Sequence, residues 1–368
     1  MKNILQNLAL ALVAIILTLA VAEVALRMEG RYHDLASQDF VSSPAIWDRP
    51  ANRVEFGRHP DLKVPVEIRF DQDGVRNHSE PSTREKRNIV GFFGDSFVEN
   101  RGIEDRFSFT SILDAVAQPD ARVVNYGVEG YGLDQEYLRY KKYENHDIHN
   151  VVYVFCENDL RGLQETDITE ITQDGDITFH ARRINHFYRL IGRFHVTYLV
   201  ITAYYKVSML VHFISTGNWE WKSLRAFNDW FELDPAYWIT SDFLSPSPSA
   251  STLRLSQKFL VLLEKWKHEV EASQRTFTVL VLPWEFDDAV ATKLFRKFDG
   301  NVIHSIGIFK NCENCKFQND PHWNEYGNER VADFVLSDES LPFHNKFNLT
   351  KHASVKIGID EYYNGLLR

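Results

Sequence analysis

The chemistry-bearing stretch of this chain is Gly94-Asp95-Ser96, which ends the short apolar run Ile89–Phe93. A run of that kind forms a strand buried on both faces. A serine on the first turn after it stands at the carboxyl edge of a sheet, where open α/β folds bind their ligands. There the hydroxyl can face a substrate while the backbone N–H points the same way. Taken alone, the triplet is equally a turn or a helix cap. Three further pieces follow strand or loop ends: Asn125-Tyr126-Gly127-Val128-Glu129-Gly130-Tyr131-Gly132, Phe155-Cys156-Glu157-Asn158-Asp159, and Asn319-Asp320-Pro321-His322. Together they offer a hydroxyl, an imidazole, carboxylates and neutral hydrogen-bond donors, the residue types of acyl transfer.

The elements needed to bring them together are legible as alternation. Strand candidates are Ile89–Phe93, Arg122–Asn125, Val151–Phe155, Phe277–Leu282 and Val302–Phe309. Between and after them lie helical patterns at Phe107–Val116, Leu133–Tyr143, Leu253–Ala272, Phe286–Phe298 and Asn324–Phe334. Strand and helix in turn predict an α/β fold with a parallel sheet covered on both faces. The alternation breaks between about 163 and 250. There a hairpin, Ile168–Ile171 with Ile177–Phe179, precedes an aromatic-rich helical stretch and Trp219, Trp221, Trp230 and Trp238. This insertion is expected to form a helical and hairpin cap over the strand ends. Val66–Phe70 alternates like an edge strand before a turn at Asp73-Gly74.

Composition narrows the partners. The 368 residues, 44% hydrophobic, suffice for a large core. A net charge of -10 without a long basic run argues against nucleic acid, which demands a concentrated positive face. From Ile4 to Ala22 no residue is charged. At about 1.5 Å per residue that run spans roughly 28 Å, near the bilayer's hydrocarbon thickness. Residues 1–27 are therefore expected to be an uncleaved signal anchor, a transmembrane helix. The small-x-small triplet Ala20-Val21-Ala22 keeps a cleaved signal as the alternative. Residues 28–65 are expected to be a stalk, 66–341 the catalytic domain, and 342–368 a tail.

Of three cysteines, Cys312 and Cys315 form one CxxC, too few ligands for a structural zinc site. A local disulfide, an unlinked pair and a redox pair are the readings open to it. Cys156 is expected to be buried and unpaired.

With the four pieces in that order, residues 66–337 resemble the SGNH (GDSL-type) hydrolases, in particular bacterial members with an amino-terminal anchor. Glu23–Arg27, Asp73–Asn77 and Asn125–Gly132 are similar to stretches those proteins carry. The resemblance implies a flavodoxin-like three-layer sandwich, the SGNH hydrolase fold, and a domain held outside the membrane, periplasmic or otherwise extracytoplasmic. It implies Ser96 as nucleophile, His322 as general base and Asp320 as the carboxylate orienting the imidazole. The oxyanion donors it implies are the backbone N–H groups of Ser96 and Gly130 and the side-chain amide of Asn158. Two positions depart from the pattern: Cys156 replaces a usual glycine, and one residue rather than two separates Asp320 from His322.

Physical chemistry asks for these types independently. A serine hydroxyl is a weak nucleophile near neutral pH, so a base must take its proton during attack. Each oxyanion donor is worth about 10²–10³ in rate, or roughly 3–4 kcal/mol. The implied activity is a serine esterase acting on acyl esters, acetyl esters in particular, of small molecules or carbohydrates, with neither metal nor organic cofactor. A polysaccharide O-acetyltransferase with the same acyl-enzyme is the alternative. A catalytically silent membrane-tethered binding protein is the third reading.

Overall fold

The computed structural model describes residues 49, 51–76, 88–166, 168–172, 174–179, 242–282, 289–305, 307–310, 312, 314–318 and 320–347, with 18, 19 and 21 isolated near the amino terminus. The chain divides into two compact units, one of residues 42–182 with 236–368 and one of residues 1–41 with 183–235. Every element named below belongs to the first.

In chain order the strands are β1 (Arg53–Arg58), β2 (Pro65–Phe70), β3 (Ile89–Phe93), β4 (Arg122–Asn125), β5 (Ile148–Phe155), β6 (Thr169–Ile171), β7 (Ile177–Phe179), β8 (Thr276–Val281) and β9 (Asn301–His304). The α-helices among the described residues are α1 (Ser96–Glu99), α2 (Phe109–Val116), α3 (Leu133–Tyr143), α4 (Asp159–Thr166), α5 (Ala250–Ala272), α6 (Ala289–Phe295) and α7 (Glu325–Ser337). Five strands make the central sheet in the order β4-β3-β5-β8-β9, and every neighbouring pair is parallel. The fold is thus mixed α/β around a five-stranded parallel sheet.

The inner strands β3, β5 and β8 are buried on both faces, which explains why they read as near-continuous apolar runs. Successive residues of a strand point to opposite faces. Accordingly Ile89, Phe93, Val151, Tyr153 and Phe155 join a core with Tyr140 of α3, Trp266 of α5 and Phe295 of α6. Val90, Phe92, Val152 and Val154 join the opposite core with Ile112 of α2 and Val331 of α7. Each such side chain contributes about 1.5–3 kcal/mol by leaving water, and the arrangement is compatible with a three-layer sandwich. Trp266 is wholly buried, with its ring centroid 5.7 Å from that of Phe93.

Several boundaries differ from those expected. The helix assigned from Phe107 begins at Phe109, where the Ser108 side chain accepts the Ser111 N–H, and a 3₁₀ turn (Asp105–Phe107) precedes it. Ahead of it stands α1, whose four residues are too few to show a helical period. The last strand ends at His304. Part of the expected stalk belongs to the domain: β1 pairs antiparallel with β2 from Arg53↔Phe70 to Arg58↔Pro65. Most of β1 is exposed, and its two apolar residues, Val54 and Phe56, stand on the solvent side rather than in a core. The expected tail also starts late, because Phe343 and Phe347 fill the core beside α7.

Of the insertion between 163 and 250, the described part holds the hairpin β6–β7, in register from Thr169↔Phe179 to Ile171↔Ile177. Phe179 stacks on Tyr137 of α3 at 5.4 Å. The tryptophans at 219, 221, 230 and 238 lie outside the described residues, as does the expected anchor of residues 1–27 apart from its three isolated positions. Among the described residues no helix is long and apolar enough to cross a membrane.

Candidate active site

Strand β3 sets the position of Ser96. After Phe93 the chain turns at Gly94, where a Cβ would come within 2.4 Å of Val98, and enters α1 at once. Asp95 caps that helix by accepting the Phe97 N–H at 2.9 Å. Ser96 is therefore the first residue of a helix at the carboxyl end of β3. Its neighbour on one side is β4 and on the other β5, the strands between which the chain order reverses. Open α/β sheets have their ligand crevice at such a point.

Asp320 and His322 come from the loop before α7. The imidazole Nε2 lies 2.7 Å from the Ser96 hydroxyl, and Nδ1 lies 2.5 Å from Asp320 Oδ1. The same carboxylate oxygen accepts the His322 backbone N–H at 2.9 Å. A single intervening residue lets one aspartate hold both the backbone and the ring of the histidine. Phe97 packs against the imidazole with ring centroids 4.7 Å apart. Burial works against charge on the imidazole, yet hydrogen bonding and attraction from Asp320 outweigh it and raise the His322 pKa above 6.5. Burial likewise opposes charge on Asp320, but the hydrogen bonds from His322 hold its carboxyl below the usual range.

This loop is braced from behind. Cys312 and Cys315 are disulfide-bonded, and the Asn324 amide donates to the carbonyls of Asn314 and Lys316 at 2.7 and 3.2 Å. Asn324 also caps α7 through the Gly327 N–H, and Phe317 N–H donates to the His322 carbonyl at 3.2 Å. The turn between β1 and β2 joins in, since Asp61 accepts the Gln318 N–H at 2.9 Å.

Asn158 follows β5, and its amide donates to Asp95 Oδ2 at 2.6 Å. An amide nitrogen carries two hydrogens, and this bond uses one of them. Asp95 thus does more than cap: it ties the asparagine to the helix of the serine. Burial raises its pKa, against the hydrogen bonds it accepts from Phe97 and Asn158. Asp159 is fully buried and accepts the Tyr153 hydroxyl and the Cys156 N–H. Cys156 is buried and free, and burial pushes its thiol up.

Gly130 sits in the loop from β4 to α3, which lies along α1: Val128 N–H donates to Gly94 O at 3.0 Å. Tyr131 N–H closes a turn onto Val128 O at 3.2 Å, and Gly130 has φ +77° at its third position. That is the pattern of a type II turn, which favours glycine there. Beyond it, Gly132 and Gly162 touch backbone to backbone. A Cβ on Gly132 would lie 2.5 Å from Gly162 C, which fixes this loop against α4.

Ser96, His322 and Asp320 are thus in one hydrogen-bonded line, with Asn158 beside it through Asp95 and the Gly130 turn alongside α1. The sequence reading missed what supports them. Arg76 clamps the end of α1, donating to the carbonyls of Glu99, Asn100 and Ile103 and to Asp105. Arg49 and Glu99 form a buried bidentate pair at 2.7 and 2.9 Å. No local period marks such partners. The one hint available was Glu99 itself, a carboxylate three residues after the serine and next to the apolar pair Phe97-Val98. Among the described residues no cluster of three or more His, Cys, Asp or Glu side chains is placed to hold a metal. No protein-family model matches the chain, and no curated protein matches it.

Proposed function

We propose that the chain is a serine-dependent esterase of the SGNH (GDSL) type, acting on acyl esters, acetyl esters of carbohydrates among them, outside the membrane that residues 1–27 anchor it to. The observation that carries this reading is the line from the Ser96 hydroxyl through His322 to Asp320, at 2.7 and 2.5 Å, beside the reversal of strand order. The strand order, which is 2-1-3-4-5 when the sheet strands are numbered along the chain, is that of flavodoxin-like folds. The disulfide is in keeping with an exported domain.

In this mechanism Ser96 Oγ attacks the ester carbonyl carbon while His322 Nε2 takes its proton. The carbonyl pair moves onto oxygen, facing the N–H groups of Ser96 and Gly130 and the amide of Asn158. The intermediate collapses, the C–O bond to the alcohol breaks, and the imidazolium returns its proton to the leaving oxygen. Water, activated by the same imidazole, then frees the acyl group from Ser96.

The test uses the full-length chain in detergent. Turnover of p-nitrophenyl acetate and labelling by a fluorophosphonate are expected, both lost in Ser96→Ala. Hydrolysis that survives Ser96→Ala removes the serine mechanism. Adding oligosaccharide acceptors separates the hydrolase from the transferase: free acetate alone supports the former, acetylated sugar the latter.

A further inference from the structure

The strongest unexplained feature is a buried ion pair that reaches the site from the segment expected to be stalk. Arg49 is 6% exposed and Glu99 wholly buried, and both ends of the guanidinium fork are used: Nε to Oε1 at 2.7 Å and Nη2 to Oε2 at 2.9 Å. Bidentate pairing fixes orientation as well as charge. Glu99 Oε2 has a second task. It accepts the Glu129 backbone N–H at 2.6 Å, inside the turn whose third residue is Gly130.

Several other contacts hold the same turn. The Glu129 carboxylate lies 3.6 Å from Arg49 Nη2 and 3.3 Å from Arg101 Nη1, and Arg101 in turn meets Glu55 of β1 at 2.5 Å. A Cβ on Gly127 would lie 2.5 Å from Glu99 N, so the backbone of this loop is pressed onto α1. Arg49 is itself seated by its main chain, since a Cβ on Gly74 would lie 2.3 Å from its carbonyl oxygen. A turn of this type closes through the N–H of its fourth residue and leaves that of its third outside the ring. The direction of the Gly130 N–H is therefore set by whatever anchors the peptide before it. That anchor is Glu99, and Arg49 aims Glu99.

We propose that Arg49 and Glu99 are positioning residues for the oxyanion donor at Gly130, so that Arg49, in the stretch expected to be stalk, is a working part of the active site. The proposal rests on the reading of Ser96 as nucleophile and Gly130 as donor. It differs from a purely structural role in what it affects. The pair acts on charge that appears on the carbonyl oxygen in the transition state, so its loss lowers kcat and spares KM.

The experiment compares p-nitrophenyl acetate with its thiono analogue, whose sulfur is a poor hydrogen-bond acceptor, on full-length wild type, Glu99→Gln and Arg49→Lys. The wild type is expected to prefer the oxygen ester strongly. Both variants are expected to lose about 10- to 100-fold in kcat on it, with KM within about two-fold, less than deleting a donor outright. The oxo-to-thiono ratio shrinks by the same factor. Unchanged kcat, or equal losses on both esters, overturns the proposal. Arg49→Lys keeps the charge while breaking the fork, so it reads the ratio even if Glu99→Gln fails to fold. A wild type that neither turns over the ester nor reacts with fluorophosphonate refutes the esterase reading and takes this inference with it. Wild-type activity with insensitive variants refutes this inference alone.

Discussion

Asn158 donates its side-chain amide to Asp95 at 2.6 Å, and the other oxygen of the same carboxylate caps the helix that begins at Ser96. One buried acid therefore sets the distance between a candidate oxyanion donor and a candidate nucleophile that lie 62 residues apart in the sequence. Asn158→Ala is expected to lower kcat about 10²–10³-fold while the fold persists, as loss of a preorganised donor does. Asp95→Ala is expected to lower kcat too, and also to cost about 1 kcal/mol of stability through the lost cap. Ester kinetics beside thermal melts separate the two effects. Full activity in Asn158→Ala would remove it from the site.

The Gly132–Gly162 contact leads to a prediction about stability rather than chemistry. A Cβ on Gly162 would lie 2.7 Å from Gly132 Cα, backbone against backbone, where no side chain can turn away. Gly162→Ala is expected to destabilise by about 1–3 kcal/mol, the usual cost of overpacking. It should lower ester turnover as well, because the loop pushed aside carries Gly130. A chemical denaturation midpoint equal to that of wild type would show that the loop yields freely.

What the sequence disclosed depended on whether the signal was local. Strands β3 and β5 are buried on both faces, so their apolar runs stood out and marked the segments just past them that hold Ser96 and Asn158, while the role of Asn158 came from the resemblance. Asp320 and His322 were legible through the resemblance, although the single residue between them departs from its pattern. Strand β1 was not, since Val54 and Phe56 point outward and its inner face offers Glu55 and Gly57. Helix α1 was too short for periodicity. Arg49 was hidden for a different reason: its partner is 50 residues away, and a single arginine near a proline reads as linker until the fold closes on it.

The Cys312–Cys315 disulfide spans few residues, so its effect on the unfolded chain is modest, about 2 kcal/mol by loop entropy. Its position matters more. It braces the backbone around Asn314 and Lys316, whose carbonyls hold Asn324 next to His322. Cys312→Ser with Cys315→Ser is expected to lower the melting temperature by several degrees and ester turnover by a few-fold. Dithiothreitol should reproduce that effect on wild type and add nothing to the double variant. Equal sensitivity of both proteins to the reductant would point to another target.

On the esterase reading, the Asp320–His322 pair is expected to make activity rise and stability fall with pH across the His322 titration. Only a neutral imidazole can accept the Ser96 proton, so turnover is expected to rise with pH along a limb set by His322. Asp320 raises that pKa, which places the midpoint above 6.5. Asp320→Asn removes the charge that favours the imidazolium. The midpoint is then expected to move to lower pH while the plateau falls. Stability runs the other way. A histidine whose pKa is raised by folding contributes fully below its unfolded value, about 6.5, and loses that contribution as pH rises through the folded value. Asp320, whose pKa is lowered, contributes fully above its unfolded value, about 3.9, and loses it as pH falls through the folded one. Both contributions are whole only between those unfolded values, so Asp320→Asn should destabilise most near pH 5 and less on either side, in acid as in alkali. The two pH profiles, measured on wild type and variant, test this directly. A limb that moves upward in Asp320→Asn would mean that a group other than His322 takes the proton.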